Sequence, residues 1–256
     1  MALQSSGEIS FANIQTVFGG TNPISLSEYY KNASIGFTSG VSGIPDIGSA
    51  ISLNQFYGKA KSIMLAGNVS GNMDTTNGSS MGIDGADDSS ASIGTVGFSF
   101  FFFGTDYNNN IFWSSNQVLQ FGTNTGTITW YANTGRGILL GNFDRRTNWS
   151  RHFPTYTNNN HSIKRLVVNH ANYWNVNGSE IQMEIRLIRG PLYQYIEVRM
   201  AQWAAGSGGN WNLTDGVSYY NVFSGAPPIG SGGSCVIRSD LNGYNWQAFN
   251  GYYINL

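Results

Sequence analysis

Side chains able to do chemistry occur in this chain, but not in patterns that organise it. Glycoside hydrolysis needs two carboxylates facing one substrate. The candidates are Glu184, Glu197 and the acidic run Asp84-Gly85-Ala86-Asp87-Asp88. Glu184 and Glu197 lie in alternating segments where arginine falls opposite each of them, as argued below, so they read as cross-strand partners. Asp84, Asp87 and Asp88 could ligate calcium, yet their spacing is not that of an EF-hand loop and its closing glutamate is missing. Such a run is more simply a solvated loop held by Asx turns. His152, His161 and His170 recur nine residues apart, and neither strand nor helix periodicity gathers them. No His-x-Glu or Cys-x-x-Cys pair supports zinc. Cys235 stands in no catalytic signature, no Walker loop or dinucleotide fingerprint occurs, and no nucleophile elbow is expected. The expectation is a protein that is not an enzyme and has no metal or cofactor.

The aromatic residues offer more. Among seven tryptophans and 14 tyrosines, Trp113 and Trp130 sit in apolar strand segments and read as core. Trp174, Trp203, Trp211 and Trp246 lie among Asn, Gly and Ser, where a ring could stack on a sugar or on a neighbouring subunit. The bland alternative is that they fold back onto the domain as loop aromatics.

Bulk properties narrow the partners. The chain of 256 residues is long enough for one or two domains. Only 11% of residues are charged, against about 25% in an average soluble protein. With a net charge of −1 and no basic tract, nucleic acid is not an expected partner. A surface rich in Asn, Ser, Thr and Gly gives little electrostatic protection against association, which fits a protein that works assembled. A single cysteine rules out an intrachain disulfide framework. No charged-then-apolar leader opens the chain, so no secretory signal is expected, and triplets such as Asn148-Trp149-Ser150 read as composition rather than glycan sites. The most apolar run, Phe98–Phe103, is far too short to span a bilayer, and no membrane insertion is expected.

The elements that must position these residues announce themselves first as a repeated phrase. ISLSEYY at residues 24–30 returns as ISLNQFY at 51–57, and more loosely as ISFANIQ at 9–15. In each, serine can cap a helix start while the residue three positions on bonds back to the cap's amide. The pairs are Ser10 with Asn13, Ser25 with Glu28 and Ser52 with Gln55. Ile9, Ile24 and Ile51 precede the caps and can staple onto Ile14, Tyr29 and Phe56. Glycines or Asn32 stop all three helices early, at Gly19-Gly20, near Asn32 and at Gly58. Helices this short are marginal unless something packs on them. The pattern predicts a small helical unit over residues 1–62, either self-contained or an assembly adaptor. Its expected apolar surface is Phe11, Ile14, Leu26, Tyr29, Leu53, Phe56 and Tyr57.

From Phe98 onward short strand signals alternate with turn clusters, the mark of an all-β sandwich or barrel. FSFFFF reads as a strand covered on both faces. The hairpin Ile181–Gln202 is the best defined. Its loop, Gly190-Pro191-Leu192-Tyr193, sets Arg189 opposite Gln194, Ile185 opposite Val198 and Leu187 opposite Ile196. On the other face Arg186 then meets Glu197, and Glu184 meets Arg199, each pair worth about 0.2–1 kcal/mol. The fold expected over residues 63–256 is a mainly β, antiparallel, jelly-roll-like sandwich.

The stretch ISFANIQTVFGGTNPISLSEYYKNA, followed by GIPDIGSAISLNQFYGKAK, resembles an N-terminal module of structural proteins of tailed bacteriophages, those of cyanobacteria above all. That resemblance spans roughly residues 7–60. DDSSASIGTVGFSFFFFGTDYNNNIFWSSNQVLQFG is similar to β-rich modules of such virion proteins, and EIRLIRGPLYQYIEVRM and IRSDLNGYNW belong with it. Gln117 stands where those modules often carry glycine, which leaves the turn type open. The resemblance implies a virion component made in the host cytoplasm, most often in the tail, its fibres or its baseplate. Other virion structural proteins and copies of the chain itself are then the expected partners, and the resemblance carries no catalytic residue across. Two readings stand beside it: a module that recognises host surface glycan through its loop tryptophans, and a decoration of the capsid.

Overall fold

The three serine phrases give different elements, although the first and third both close a capping box. In a computed structural model of the chain, residues 3–20, 22–30, 41, 43–59, 63–122, 135–140, 145–173, 180–202, 211–223 and 232–256 are described. The first phrase starts a true helix, α1 (Phe11–Phe18). Asn13 N–H donates to Ser10 Oγ at 3.2 Å and Ser10 N–H returns to Asn13 Oδ1 at 2.8 Å, closing the box. Gly19, at φ 87°, ends it. The other two phrases make only single 3₁₀ turns, Leu26–Tyr29 and Leu53–Phe56. In the second, Ser25 Oγ accepts from Ser27 rather than entering a box with Glu28. In the third, Ser52 N–H donates to Gln55 Oε1 at 2.8 Å, but the chain leaves the turn at Tyr57. The stop expected near Asn32 lies outside the described residues.

The chain divides into two units, Met1–Leu65 with Ile254–Leu256, and Ala66–Tyr253. The boundary expected after residue 62 thus falls three residues later, and the C-terminal residues join the smaller unit. Asn255 N–H donates to Ile63 O at 2.8 Å, a bond that local sequence does not announce.

Inside the smaller unit Ile14, Phe18, Tyr29 and Phe56 are fully buried. The three rings meet edge to face, with centroids 5.9–6.4 Å apart. Each such pair adds about 0.5–1.5 kcal/mol beyond its buried area. The Tyr29 hydroxyl donates to Gly19 O at 2.8 Å, tying the second phrase to the end of α1. Ile9, Ile24 and Ile51 pack against this cluster, as staples should. One expectation is corrected here: Ile14, Tyr29 and Phe56 are the unit's core, not its surface. Two isolated 3₁₀ turns have no stability of their own, so their aromatic residues are taken up in holding the unit together.

The strands run β1 (Met64–Ala66), β2 (Ser79–Ser80), β3 (Ser90–Ser92), β4 (Phe101–Phe102), β5 (Thr105–Asp106) and β6 (Ile111–Ser114). They continue as β7 (Val118–Phe121), β8 (Arg136–Leu140), β9 (Arg145–His152), β10 (Tyr156–Asn158), β11 (His161–Tyr173) and β12 (Ile181–Arg189). Last come β13 (Gln194–Gln202), β14 (Trp211–Asp215), β15 (Tyr219–Phe223), β16 (Ser234–Ser239), β17 (Gln247–Asn250) and β18 (Tyr252–Ile254). One sheet has the order β17-β16-β13-β12-β11-β9-β2, with β10 beside β11; the other has the order β15-β14-β8-β7-β6-β3. Their ladders are antiparallel. Leu166, Ile185, Val198 and Ile237 from the first sheet share one core with Trp113, Leu119, Ile138 and Leu213 from the second. This is an antiparallel β-sandwich.

The β12–β13 hairpin has the expected register: Arg189 faces Gln194, Ile185 faces Val198 and Arg186 faces Glu197. The Arg186–Glu197 ion pair forms at 2.8 Å. Glu184 also lies opposite Arg199, as expected, but their ion pair is not made. Glu184 instead takes Arg165 of β11 at 3.3 Å, while Arg199 reaches along its own strand to Glu197 at 2.9 Å. Cross-strand position did not decide it, because a third strand offered a competing arginine. Glu184, Arg186 and Glu197 are all buried, so each charge depends on its partners far more than a surface pair would.

FSFFFF does not run on as a strand. It turns back at Phe103-Gly104, where both φ angles are positive (47° and 78°), so that Phe102 pairs with Thr105 and Phe101 with Asp106. Gln117, in the position where glycine was the precedent, adopts φ 61°, the backbone glycine would supply.

Candidate functional site

Two packed segments, distant in sequence, build an open cleft on the sandwich. The hairpin β4–β5 is one. The turn Asp240–Trp246 is the other, wound around the Asp240 carboxylate. Its oxygens accept from Asn242 N–H at 3.0 Å, Tyr244 N–H at 2.9 Å and Asn245 Nδ2 at 2.8 Å. Burial works to raise that carboxyl's pKa, but these donors outweigh it and hold it below the usual range. The turn then docks on the hairpin: Phe103 N–H donates to Gly243 O at 2.9 Å and Gly104 N–H to Asn242 O at 3.1 Å. A Cβ on Gly243 would lie 2.4 Å from Phe101 O, so only glycine permits the approach. Gln194 ties the hairpin from below, its Oε1 accepting from Phe101 N–H at 2.9 Å. Arg189 completes the join through Leu241 O at 2.8 Å.

Around this join lies a cleft of about 650 Å³, lined also by β15 and β17, the end strands of the two sheets. That volume is in the range of small-ligand sites, roughly 300–1,000 Å³. Phe103 stacks on Tyr220 at 5.3 Å, and Trp246 packs against Phe102 at 5.3 Å. Tyr220 and Tyr244 remain 47% and 49% exposed. The Trp246 indole N–H is buried and has no acceptor among the described residues. Asn221, Asn245 and Gln247 add neutral polar groups.

The two charged side chains of the lining are already engaged. Arg136 donates to Asp215 O at 3.1 Å, Thr105 Oγ1 at 2.6 Å and the Tyr107 hydroxyl at 3.0 Å. The Asp215 carboxylate accepts from Ser218 N–H at 2.7 Å, Val217 N–H at 2.8 Å and the Tyr220 hydroxyl at 3.2 Å. The backbone donors, Ser218 first, lower its pKa, and the bond to Asp215 raises that of Tyr220. The cleft is therefore aromatic, polar and electrically balanced.

The tryptophans expected to contact glycan separate. Trp246 borders the cleft, half-buried. Trp211 is fully buried at the start of β14, paired with Leu140, and cannot meet a ligand. Its flanking Asn and Gly suggested a loop, but the strand begins at the tryptophan itself. Trp174 and Trp203 lie outside the described residues, as does Trp130. Trp113 is core, as expected.

In the smaller unit a shallow groove of about 600 Å³ is lined by Glu8, Ile9, Ser10, Asn13, Leu53, Asn54 and Tyr57. Of the expected assembly surface, Leu53 and Tyr57 line it. Phe11 is 37% exposed outside it, and Leu26 packs partly against the core.

The remaining candidates go elsewhere. Asp84 accepts from Ser150 N–H at 2.9 Å and pairs with Arg151 at 2.6 Å. Burial opposes its ionisation, but these partners hold its pKa below the usual range. Asp88 accepts from Asn116 at 2.7 Å, and Asp87 caps the amide of Asp88. Among the described residues no three His, Cys, Asp or Glu side chains converge on one point. Gly78-Ser79-Ser80-Met81-Gly82 does have the Gly-x-Ser-x-Gly spacing, against the expectation of no nucleophile elbow. Yet Ser80 sits in the end strand β2, not at a strand-to-helix turn, and its hydroxyl donates to Asp84. The Cys235 thiol is buried, and burial followed by the nearby Glu197 charge pushes its pKa up, away from a reactive thiolate.

Sequence reasoning missed Phe103, Tyr220 and Tyr244. Two of the segments that carried the phage resemblance, FSFFFFGTDY and IRSDLNGYNW, are the ones that meet here, and that coincidence was the available signal. No protein-family model, no curated protein and no solved structure matches this chain.

Proposed function

We propose that this chain is a structural protein of a tailed-phage particle, associated with the tail, its fibres or its baseplate, and acting by assembly rather than catalysis. The observation that supports this reading is the build of the smaller unit. Among the described residues its core is closed by seven buried side chains of its own, and the groove beside them is lined by the half-buried Leu53 and Tyr57. A unit that holds itself together with its inner residues can spend its outer ones on a neighbour. The resemblance over residues 7–60 points the same way, to virion structural proteins and further copies of the chain as partners and to the particle as location.

The test is light scattering of the purified full chain beside Asn54→Lys, in the groove, and Phe11→Asp. Both residues are exposed, so neither change opens the core. The wild type should form an oligomer or bind particles that lack it, and the variants should do so weakly while melting at the same temperature. Wild-type incorporation of both variants would sink the docking role.

A second reading, recognition of host surface glycan, has one observation in its favour: Trp246 borders an open aromatic cleft in the larger unit.

A further inference from the structure

We infer that the cleft between β15, β17 and the β4–β5 hairpin binds a neutral saccharide, with Tyr220 and Tyr244 as its stacking faces. This deepens the glycan reading and rests on it; it stands apart from the assembly reading. Three features of the cleft select the ligand. Its two half-exposed tyrosines offer flat apolar faces with a hydroxyl at the edge, and Phe103 backs one of them at 5.3 Å. A pyranose ring matches such a face on its C–H side and carries hydroxyls around its rim. The neutral amide of Asn221 can both donate and accept, and Asn245 and Gln247 keep one end of theirs, the other ends being bonded to Asp240 and Arg238, which suits hydroxyls better than a phosphate, carboxylate or ammonium group.

Charge does not select an ionic ligand. Among the described lining residues one cation, Arg136, and one carboxylate, Asp215, balance, so the cleft carries no net charge. Arg136 bonds Asp215 O, Thr105 and Tyr107, and the Asp215 carboxylate accepts from two backbone amides and Tyr220. These bonds also fix the tyrosine: the Tyr220 hydroxyl is held by Asp215, so its ring is set in place before a ligand arrives, which reduces the ordering cost of binding.

Backbone cost points to a built site as well. Phe103 is a bulky residue at positive φ, held there by the amide bonds to Gly243 and Asn242. Trp246, beside it, is left with a buried N–H that has no acceptor among the described residues. Strained backbone beside an open aromatic cleft is the pattern of a surface kept for a ligand.

The experiment is isothermal titration of the full chain with maltohexaose, cellohexaose and laminarihexaose, and with polygalacturonate as an anionic control. At least one neutral hexasaccharide should bind saturably, and polygalacturonate should not bind better. Tyr220→Ala and Tyr244→Ala should each weaken that binding by about tenfold, the size of one lost stacking face. Tyr156→Ala, at an exposed tyrosine away from the cleft, should leave it unchanged. Both cleft positions are half-exposed, so the variants keep the fold. Saccharide binding that ignores both substitutions would overturn the cleft while leaving glycan recognition elsewhere on the chain. Flat titrations with all three hexasaccharides would overturn both. Self-association lost in Tyr220→Ala, with flat titrations, would instead make the cleft an interface between copies.

Discussion

The smaller unit and the aromatic cleft are both built on aromatic residues, and they use them in opposite ways. In the smaller unit Phe18, Tyr29 and Phe56 turn inward and contribute stability, and the residues that bring them together lie within a few positions of a serine cap. In the cleft Tyr220 and Tyr244 turn outward, and what holds them is a turn from residues 240–246 docked on a hairpin from residues 101–106. Local signals therefore build a core in one region, while long-range contacts build a surface in the other. An aromatic residue in a sequence does not declare which of these it serves; its neighbours in space do.

The sharpest way to break this comparison is to remove a ring from the smaller unit. Phe56→Ala should cost about 3–5 kcal/mol there. Hydrogen exchange at the α1 amides, such as Ile14 to Ser10 O, should accelerate at least about a hundredfold by that arithmetic. The amides of Ile185 and Val198 in the hairpin should keep their protection. If both sets lose protection together, the two units unfold as one and the contrast fails.

Next in size is Gly243→Ala, which tests the long-range join. At φ 74° the alanine pays about 1–2 kcal/mol for left-handed backbone, and its Cβ collides with Phe101 O besides. The turn should lift from the hairpin. The environment of Trp246 should change, seen as a shift in tryptophan emission, with α1 unaffected. Unchanged emission and melting would mean the cleft does not depend on that approach.

How much of this was legible follows from the same division. The register of β12–β13 could be read because period-two alternation and a four-residue loop leave one solution, and Arg186–Glu197 came with it. The Ser10 cap could be read because both halves of its box lie three residues apart. Glu184 was placed opposite Arg199 correctly, but its ion pair was misread because Arg165 arrives from β11, whose position depends on the whole sheet. Phe103 was placed in a strand because nothing local favours a phenylalanine at positive φ; the bonds that impose it come from Asn242 and Gly243. Tyr220 carried no signal and Tyr244 only its place in IRSDLNGYNW, since a cleft between two end strands exists only once both sheets have formed.

A smaller effect sharpens the local side of the contrast. Ser10→Ala removes the α1 cap and should cost about 1 kcal/mol. Ser25→Ala should cost less, because its hydroxyl bonds only Ser27 in a single 3₁₀ turn. Equal losses at the two serines, measured by exchange of the same α1 amides, would show that the repeated phrase has one role rather than two.

The gentlest probe is pH, because the smaller unit contains no histidine while the larger holds His152, His161 and His170. Burial lowers the pKa of His152, and the Lys164 ammonium, 3.5 Å away, lowers it further. Burial also lowers that of His161, only partly offset by its bond to Asn159 O. The unfolded chain takes up protons near the ordinary histidine value of about 6.5, whereas the folded larger unit resists them until lower pH. Between those points the unfolded state binds more protons, so stability falls as pH drops from about 6.5 through the folded pKa. Exchange of the Ile185 and Val198 amides should therefore accelerate, relative to intrinsic rates, between pH 7 and about 5, while the α1 amides hold steady. His152→Gln should flatten part of that slope. An α1 signal that falls first would place the acid-sensitive contacts in the unit that has no histidine, and the separation of the two regions by chemistry would be lost.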